Sequence, residues 1–351
     1  MEKLFEKCDG IVLKNFHSYW KDPLVNKYLT TSDNSGISPS ERFEGFLVLK
    51  KATKPLWLSH PFNYNQSKKV LTETQVKEFT STKSIQVELN RALKGCKKIG
   101  YNSRYYSAAG LLGLKKILKG KKLVDATSEL EKSREIKTPA EIKCIKKAVL
   151  ETQKLVEEIK LGNILGEAIS EGKTTETDLA SIIRYKFEKD GFECAFCIVA
   201  FGENTKNLHH TPTDALLKEG PVLIDIGAKY KGYCADISES FWFGKNESAE
   251  YASAKRKVSE CLLNVEKLLK EGTNSKALWD ESVKCIGKMP HSLGHGLGIE
   301  EHDLPHGISE KGAYKLKEGM VLAIEPGIYN NKFGIRIEAD YLITKKGFEK
   351  L

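Results

Sequence analysis

The sequence predicts a two-domain α/β protein whose second domain carries acids and imidazoles inside otherwise apolar strands. Three observations lead there. The chain has 351 residues, more than one hydrophobic core usually organises. A polar stretch, 126–137, is followed by a strongly capped helix start at Thr138-Pro139-Ala140-Glu141. Finally, Asp225, Asp236, Glu325 and Glu338 interrupt runs that otherwise read as buried strands.

In order, residues 1–125 form the first expected domain. Phe46-Leu47-Val48-Leu49 and Leu56-Trp57-Leu58 read as strands, Lys97–Tyr101 as a short strand, and Tyr105–Leu118 as a helix. No chemistry is evident there, so a structural or oligomerising role is expected. Residues 126–137 read as a linker, and 138–351 as the second domain. Its first helix has Thr as N-cap, Pro at the first helical position and Glu closing a capping box. Ile142, Ile145, Val149, Thr152, Val156 and Ile159 then form one stripe at three-four spacing. A second cap at Thr175 and Asp178 opens a helix bearing Leu179, Ile182, Ile183 and Phe187. Two further helices are expected at about 249–270 and 275–288.

Composition excludes several classes. No apolar run approaches the roughly 20 residues that span a bilayer, and the N-terminus shows no signal-peptide pattern. Eight cysteines are scattered through a chain too large to need a disulfide framework, which points to reduced thiols in a cytoplasm. The net charge of +9 comes mostly from dispersed Lys pairs without aromatic interleaving, so nucleic acid is not an expected partner. The Cys194-Ala195-Phe196-Cys197 motif has no second pair to complete a zinc site and reads as buried structural thiols in a strand.

The acids carry the chemistry. A buried carboxylate without a partner is strongly disfavoured or takes up a proton. Asp225 lies in Val222–Gly227, and Asp236 in a strand from Tyr233 to Phe243, around a turn at Lys229–Gly232. Centring that hairpin between Tyr230 and Lys231 makes the two Asp direct cross-strand neighbours. The same arithmetic centres Glu325 and Glu338 between Asn331 and Lys332. Two hairpins thus each deliver two carboxylates. With His295, flanked by Gly294 and Gly296, they make an oxygen-rich set suited to divalent cations. His302 and His209 are further imidazoles near these segments, available for proton transfer.

Together, DIGAKYKGYCAD, GHGLGIEEHD, EPGIY and GIRIE resemble the metal-dependent peptidase family with the pita-bread fold, in its prolidase and aminopeptidase P branch. The resemblance covers 138–351 closely and extends to a creatinase-like N-terminal α/β domain. It implies five metal ligands, Asp225, Asp236, His295, Glu325 and Glu338. These would hold two Mn²⁺ or Co²⁺ ions, or Zn²⁺, with a bridging hydroxide. Asp236 and Glu338 would bridge, Asp225 would serve one ion, and His295 with Glu325 the other. Glu325 would act as base, His302 would steady the tetrahedral intermediate, and His209 would assist at the proline nitrogen. His291 and Arg336 match supporting positions. The implied substrates are peptides with proline in second place, and the implied assembly is a homodimer. His306 stands where prolidases often carry an Arg that holds the dipeptide carboxylate, which makes longer Xaa-Pro peptides comparable substrates. A methionine or general aminopeptidase of the same fold, or a non-catalytic peptide-binding relative, are the competing readings.

Overall fold

The protein is described by a computed structural model covering residues 2–16, 21–33, 35–162, 174–312 and 314–351. The chain divides into two compact units, Met1–Arg134 and Glu135–Leu351.

The first unit is built on a six-stranded mixed sheet in the order β4-β3-β2-β1-β5-β6. These strands are β1 (Gly10–Asn15), β2 (Gly45–Lys50), β3 (Leu56–Ser59), β4 (Gln75–Glu78), β5 (Lys98–Tyr101) and β6 (Lys122–Asp125). Val12, Phe46, Val48 and Leu58 on the sheet meet Leu89, Leu93, Leu114 and Leu118 from the helices Thr82–Ala92 and Ala108–Ile117 and their C-termini. The stretch 126–137, expected as a linker, instead contains the helix Thr127–Glu135. Its start is capped by Asp125, which accepts the Thr127 N–H, and Leu130 is fully buried. One apolar anchor is enough to dock an otherwise charged helix.

In the second unit, the helices Pro139–Lys160 and Glu176–Lys189 pack against β8 and β7 respectively, in a sheet ordered β10-β8-β7. The strands are β7 (Glu193–Phe201), β8 (Gly220–Tyr230), β9 (Tyr233–Cys234) and β10 (Ile237–Phe243). Both helices start with the capping boxes expected at Thr138 and Thr175. The stripe Ile145, Val149, Thr152, Val156 and Ile159 is buried, so the helical spacing gives one continuous apolar face toward the sheet. A second sheet runs β12-β11-β13-β16-β17. Its strands are β11 (Gly294–Gly296), β12 (Asp303–Ile308), β13 (Val321–Ile324), β16 (Ala339–Thr344) and β17 (Gly347–Lys350). Helices Ala249–Glu266 and Ser275–Ile286 share a core with it through Cys261, Val265, Leu278, Leu322, Ile324 and Tyr341. A short ribbon of β14 (Gly327–Tyr329) and β15 (Gly334–Arg336) completes the unit.

The two hairpins differ in how they follow the expected register. In the first, Tyr230 pairs Tyr233 around Lys231-Gly232, whose φ angles are 51° and 86°. A two-residue turn with positive φ at both positions matches the twist of the flanking strands. The hairpin is therefore centred one residue later than expected. Asp225 faces Ser238, and Ile226 faces Ile237. Asp236 is a diagonal neighbour of Asp225 on the same face, not its direct partner. In the second hairpin Val321 pairs Leu342, Ile324 pairs Ala339, and Gly327 pairs Arg336. That single register carries Glu325 opposite Glu338, as the turn position predicts. At Pro326 the strands stay joined by the Ile337 N–H to Pro326 O bond at 3.3 Å, while Glu325 N–H reaches Leu293 O, extending the β11–β13 ladder, and Glu338 N–H reaches Ser238 O. These bonds tie the second hairpin to β11 on one side and to β10 on the other.

Gly227 is required where the first hairpin crowds. A Cβ there would lie 2.1 Å from Ala235 O and 2.6 Å from the Phe196 ring. Gly227→Ala is expected to destabilise the fold by about 1–3 kcal/mol, read as a lowered urea midpoint. An unchanged midpoint would show that the hairpin yields freely.

Candidate metal centre

His295 is placed by β11, whose glycines permit an approach no side chain would allow. A Cβ on Gly294 would meet Ala323 O at 2.1 Å, and one on Gly296 would meet Leu304 C at 2.3 Å. β8 and the segment between β9 and β10 supply Asp225 and Asp236, and the second hairpin supplies Glu325 and Glu338. His295, Glu325 and Glu338 present ligand atoms all within 4.8 Å of one another, and so do Asp225, Asp236 and Glu338. Glu338 belongs to both trios. A third trio, Asp236, His295 and His302, overlaps them. His295 Nε2 lies 3.6 Å from Asp236, 3.8 Å from Glu325 and 4.0 Å from Glu338.

The electrostatics are severe. Burial, reinforced by Glu338 and Asp225, holds the Asp236 carboxyl well above its ordinary value. Burial and then Glu338 do the same to Glu325, and burial with Asp225 pushes Glu338 up to about 8. Burial, with His302 nearby, pulls His295 down to about 4. The protein supplies one strong cation of its own. Arg336 Nη2 donates to Asp225 Oδ2 at 2.5 Å, its Nε donates to Ser238 Oγ at 2.9 Å, and Nη1 donates to Tyr329 Oη at 2.9 Å. Ser238 Oγ in turn donates to Glu338 Oε2 at 2.7 Å. Asp225 Oδ1 and Glu338 Oε1 are nonetheless buried with no hydrogen-bond partner among the described residues. Orphaned carboxylate oxygens beside imidazole nitrogen are the donor set that divalent cations take. The residues present fit such ions.

These groups line a cavity of about 490 Å³ together with Phe196, Ile198, Leu208, His209, His291, Glu301 and His302. Phe196 and Ile198, two apart on β7, share the face of Asp225. The His302 ring stacks on His295 at 4.0 Å. His291 donates through Nδ1 to Ser292 O at 2.7 Å, with Glu325 Oε2 at 3.6 Å from the same nitrogen, and meets the Tyr329 ring edge-on. Burial lowers its pKa to about 4.

Two expectations change. His306 is exposed on β12 and is not among the residues lining the cavity. The Cys194 and Cys197 side chains are partly exposed, not buried. A bulge at Ala195 gives Cys194 the partner Ala228 and Cys197 the partner Ile226, so both thiols share the face opposite the cavity.

Sequence reading missed Ser238, Tyr329, Glu176 and Asp340. Asp340 is buried and its Oδ2 accepts the Asp236 N–H at 3.0 Å. It is an acid inside the apolar run ADYLIT, the same signal that exposed Glu338. Ser238 follows Asp236 on the same strand face. Tyr329 and Glu176 carry no such mark.

Comparison with known proteins agrees with this architecture. Residues 143–345 match Metallopeptidase family M24, and residues 27–136 match the Creatinase/Prolidase N-terminal domain. The chain belongs to metallopeptidase family M24 and is a peptidase of the pita-bread fold. An uncharacterized peptidase of Methanocaldococcus jannaschii is 32% identical, covering 99% of this chain and 97% of its own. The X-Pro aminopeptidase of Thermotoga maritima superposes with a TM-score of 0.83 at 27% identity, covering 98% of this chain and 95% of its own. The prolidase of Pyrococcus horikoshii gives 0.79 at 28% identity, covering 99% and 96%.

The pKa shifts set a pH signature for the metal-free chain. Asp236, Glu325 and Glu338 keep protons in the folded state that the unfolded chain has released, so their contribution to stability falls as pH rises toward about 8. The depressed imidazoles act oppositely, but only up to the ordinary His value of 6.5. Between pH 6.5 and 8 the Tm of chelator-treated protein is expected to fall, and added Mn²⁺ to raise Tm more at pH 8 than at 6.5. A metal-free Tm that climbs over this interval would contradict the assignment.

Proposed function

We propose that the chain is a dinuclear-metal exopeptidase that hydrolyses the bond between an N-terminal residue and a following proline. The observation that carries the two-ion reading is the pair of ligand trios sharing Glu338. Asp225, Asp236 and Glu338 would hold one cation, and His295 and Glu325 with the two bridging acids the other. When bound, Mn²⁺, Co²⁺ or Zn²⁺ there would polarise the scissile carbonyl and make water acidic enough to attack at neutral pH.

The residues do the rest. Glu325, its proton affinity raised by burial, accepts the proton of the attacking water. His302, solvent-accessible and lining the cavity, donates to the oxygen of the tetrahedral intermediate. His209, exposed on the cavity wall, assists at the departing proline nitrogen. Arg336 aligns Asp225 by donating to Oδ2, and Ser238 aligns Glu338 by donating to Oε2. Phe196, Ile198 and Leu208 form an apolar wall for the substrate. The proline preference is supported by the likeness to the X-Pro aminopeptidase of Thermotoga maritima and the prolidase of Pyrococcus horikoshii.

Longer peptides are favoured over dipeptides. A dipeptide short enough to sit in the cavity would place its carboxylate there, and Arg336, already committed to Asp225, is the one Lys or Arg among its described lining residues. His306 is outside it.

With Mn²⁺ present, Xaa-Pro-Ala and longer peptides are expected to be cleaved with higher kcat/KM than Xaa-Pro, and Met-Ala-Ser not at all. Turnover of Met-Ala-Ser without turnover of any Xaa-Pro peptide would replace this reading by that of a general or methionine aminopeptidase. Glu338→Gln should lower kcat/KM by at least about 100-fold and reduce the metal retained after desalting. Full metal retention with full activity would remove Glu338 from the centre.

A further inference from the structure

The segment bearing His209 is held from behind by a carboxylate outside the metal centre. Glu176 is the first residue of the helix Glu176–Lys189 and is completely buried. Its Oε1 accepts the Phe201 N–H at 2.7 Å and Asn204 Nδ2 at 2.9 Å. Its Oε2 accepts the Thr213 N–H at 2.9 Å and Thr213 Oγ1 at 2.7 Å, and lies 2.7 Å from His210 Nε2. One carboxylate thereby gathers the end of β7, the 3₁₀ turn Gly202–Lys206 and the residues after His209. The acceptor-only carboxylate requires His210 Nε2 to carry a proton. The His210 side chain is only 8% exposed, so this bond is shielded from competing water.

On the other side of His209, Leu208 O accepts from Arg336 Nη1 and Nη2 at 3.4 Å. The exposed His209 side chain is therefore bracketed by two fixed neighbours. Leu208 is tied through Arg336 to Asp225, and His210 is tied to Glu176. An imidazole on an unsupported loop would sample many positions. One clamped at both adjacent residues is preorganised over the cavity, which is where placement has its largest effect on rate.

We propose that Glu176 and His210 are positioning residues that set His209 over the metal centre. This rests on the peptidase reading above for its kinetic consequence, but not for its structural one. His210→Ala removes the donor, and His210→Gln restores an N–H able to reach Glu176.

The test pairs kinetics with histidine side-chain NMR on the full chain with diamagnetic Zn²⁺. The His209 resonances are identified by their loss in His209→Ala. They are expected to shift or broaden in His210→Ala and to return toward their original positions in His210→Gln. On an Xaa-Pro-Ala peptide, His210→Ala should lose about 10- to 100-fold in kcat, with KM little changed and retained metal unaltered. The double variant His209→Ala/His210→Ala should be no slower than His209→Ala alone. Should His210→Ala fail to fold, His210→Gln against His210→Asn supplies the comparison, since the shorter amide cannot span the same gap. Unmoved His209 resonances, or losses that multiply in the double variant, would overturn the proposal. Absence of Xaa-Pro turnover in the unaltered protein would reject the substrate reading alone and leave the NMR result to decide this one.

Discussion

The second unit is organised by the requirement that several carboxylates be buried side by side. Burial raises the proton affinity of Asp236, Glu325 and Glu338; Glu338 adds to the rise of the first two and Asp225 to that of Glu338. Such a cluster is tolerable only with positive charge among it. Arg336 supplies one charge and locks Asp225, while Ser238 links that guanidinium to Glu338. The remaining orphaned oxygens, Asp225 Oδ1 and Glu338 Oε1, belong to residues that line the cavity. The strain of the metal-free cluster is the same quantity that favours cation binding.

The hairpins make the cluster rigid. In the second hairpin one register runs from Val321–Leu342 to Tyr329–Gly334. On its outer sides this hairpin is bonded as well: Ala323 pairs His295 on β11, Glu325 N–H reaches Leu293 O just before it, and Glu338 N–H reaches Ser238 O on β10. The carboxylates thus sit at a junction where three pieces of sheet meet. Hydrogen bonds on both sides fix the side chains there more firmly than a loop would. The close approach of β12 and β13 to Gly294 and Gly296 keeps His295 within reach of the same point.

The cavity wall follows a different logic. His302 is steadied by stacking on His295, and His209 by anchors on its two neighbours. Groups that must meet a substrate stay accessible, while the groups that hold them are buried. Glu176 illustrates the division: completely buried, it accepts from several donors, among them His210, whose neighbour in the chain is the exposed His209.

Much of this could be read from the residues. Acids inside VLIDIG and VLAIEPG have no reason to be there without a cation, and the short turn around Asn331 sets Glu325 opposite Glu338 by counting alone. Counting misplaced Asp225 and Asp236 because the turn is two residues, Lys231-Gly232, with positive φ at both, and a turn's type is not given by its length of polar sequence. Sequence patterning also determined the capped helices at Thr138 and Thr175, since caps and apolar stripes are local. Folding alone decided that His306 is exposed outside the cavity lining, that Ala195 bulges and turns both thiols to one face, and that Glu176 reaches His210. Those outcomes depend on which distant backbones come together, and a side chain's own neighbours in the chain carry no record of that.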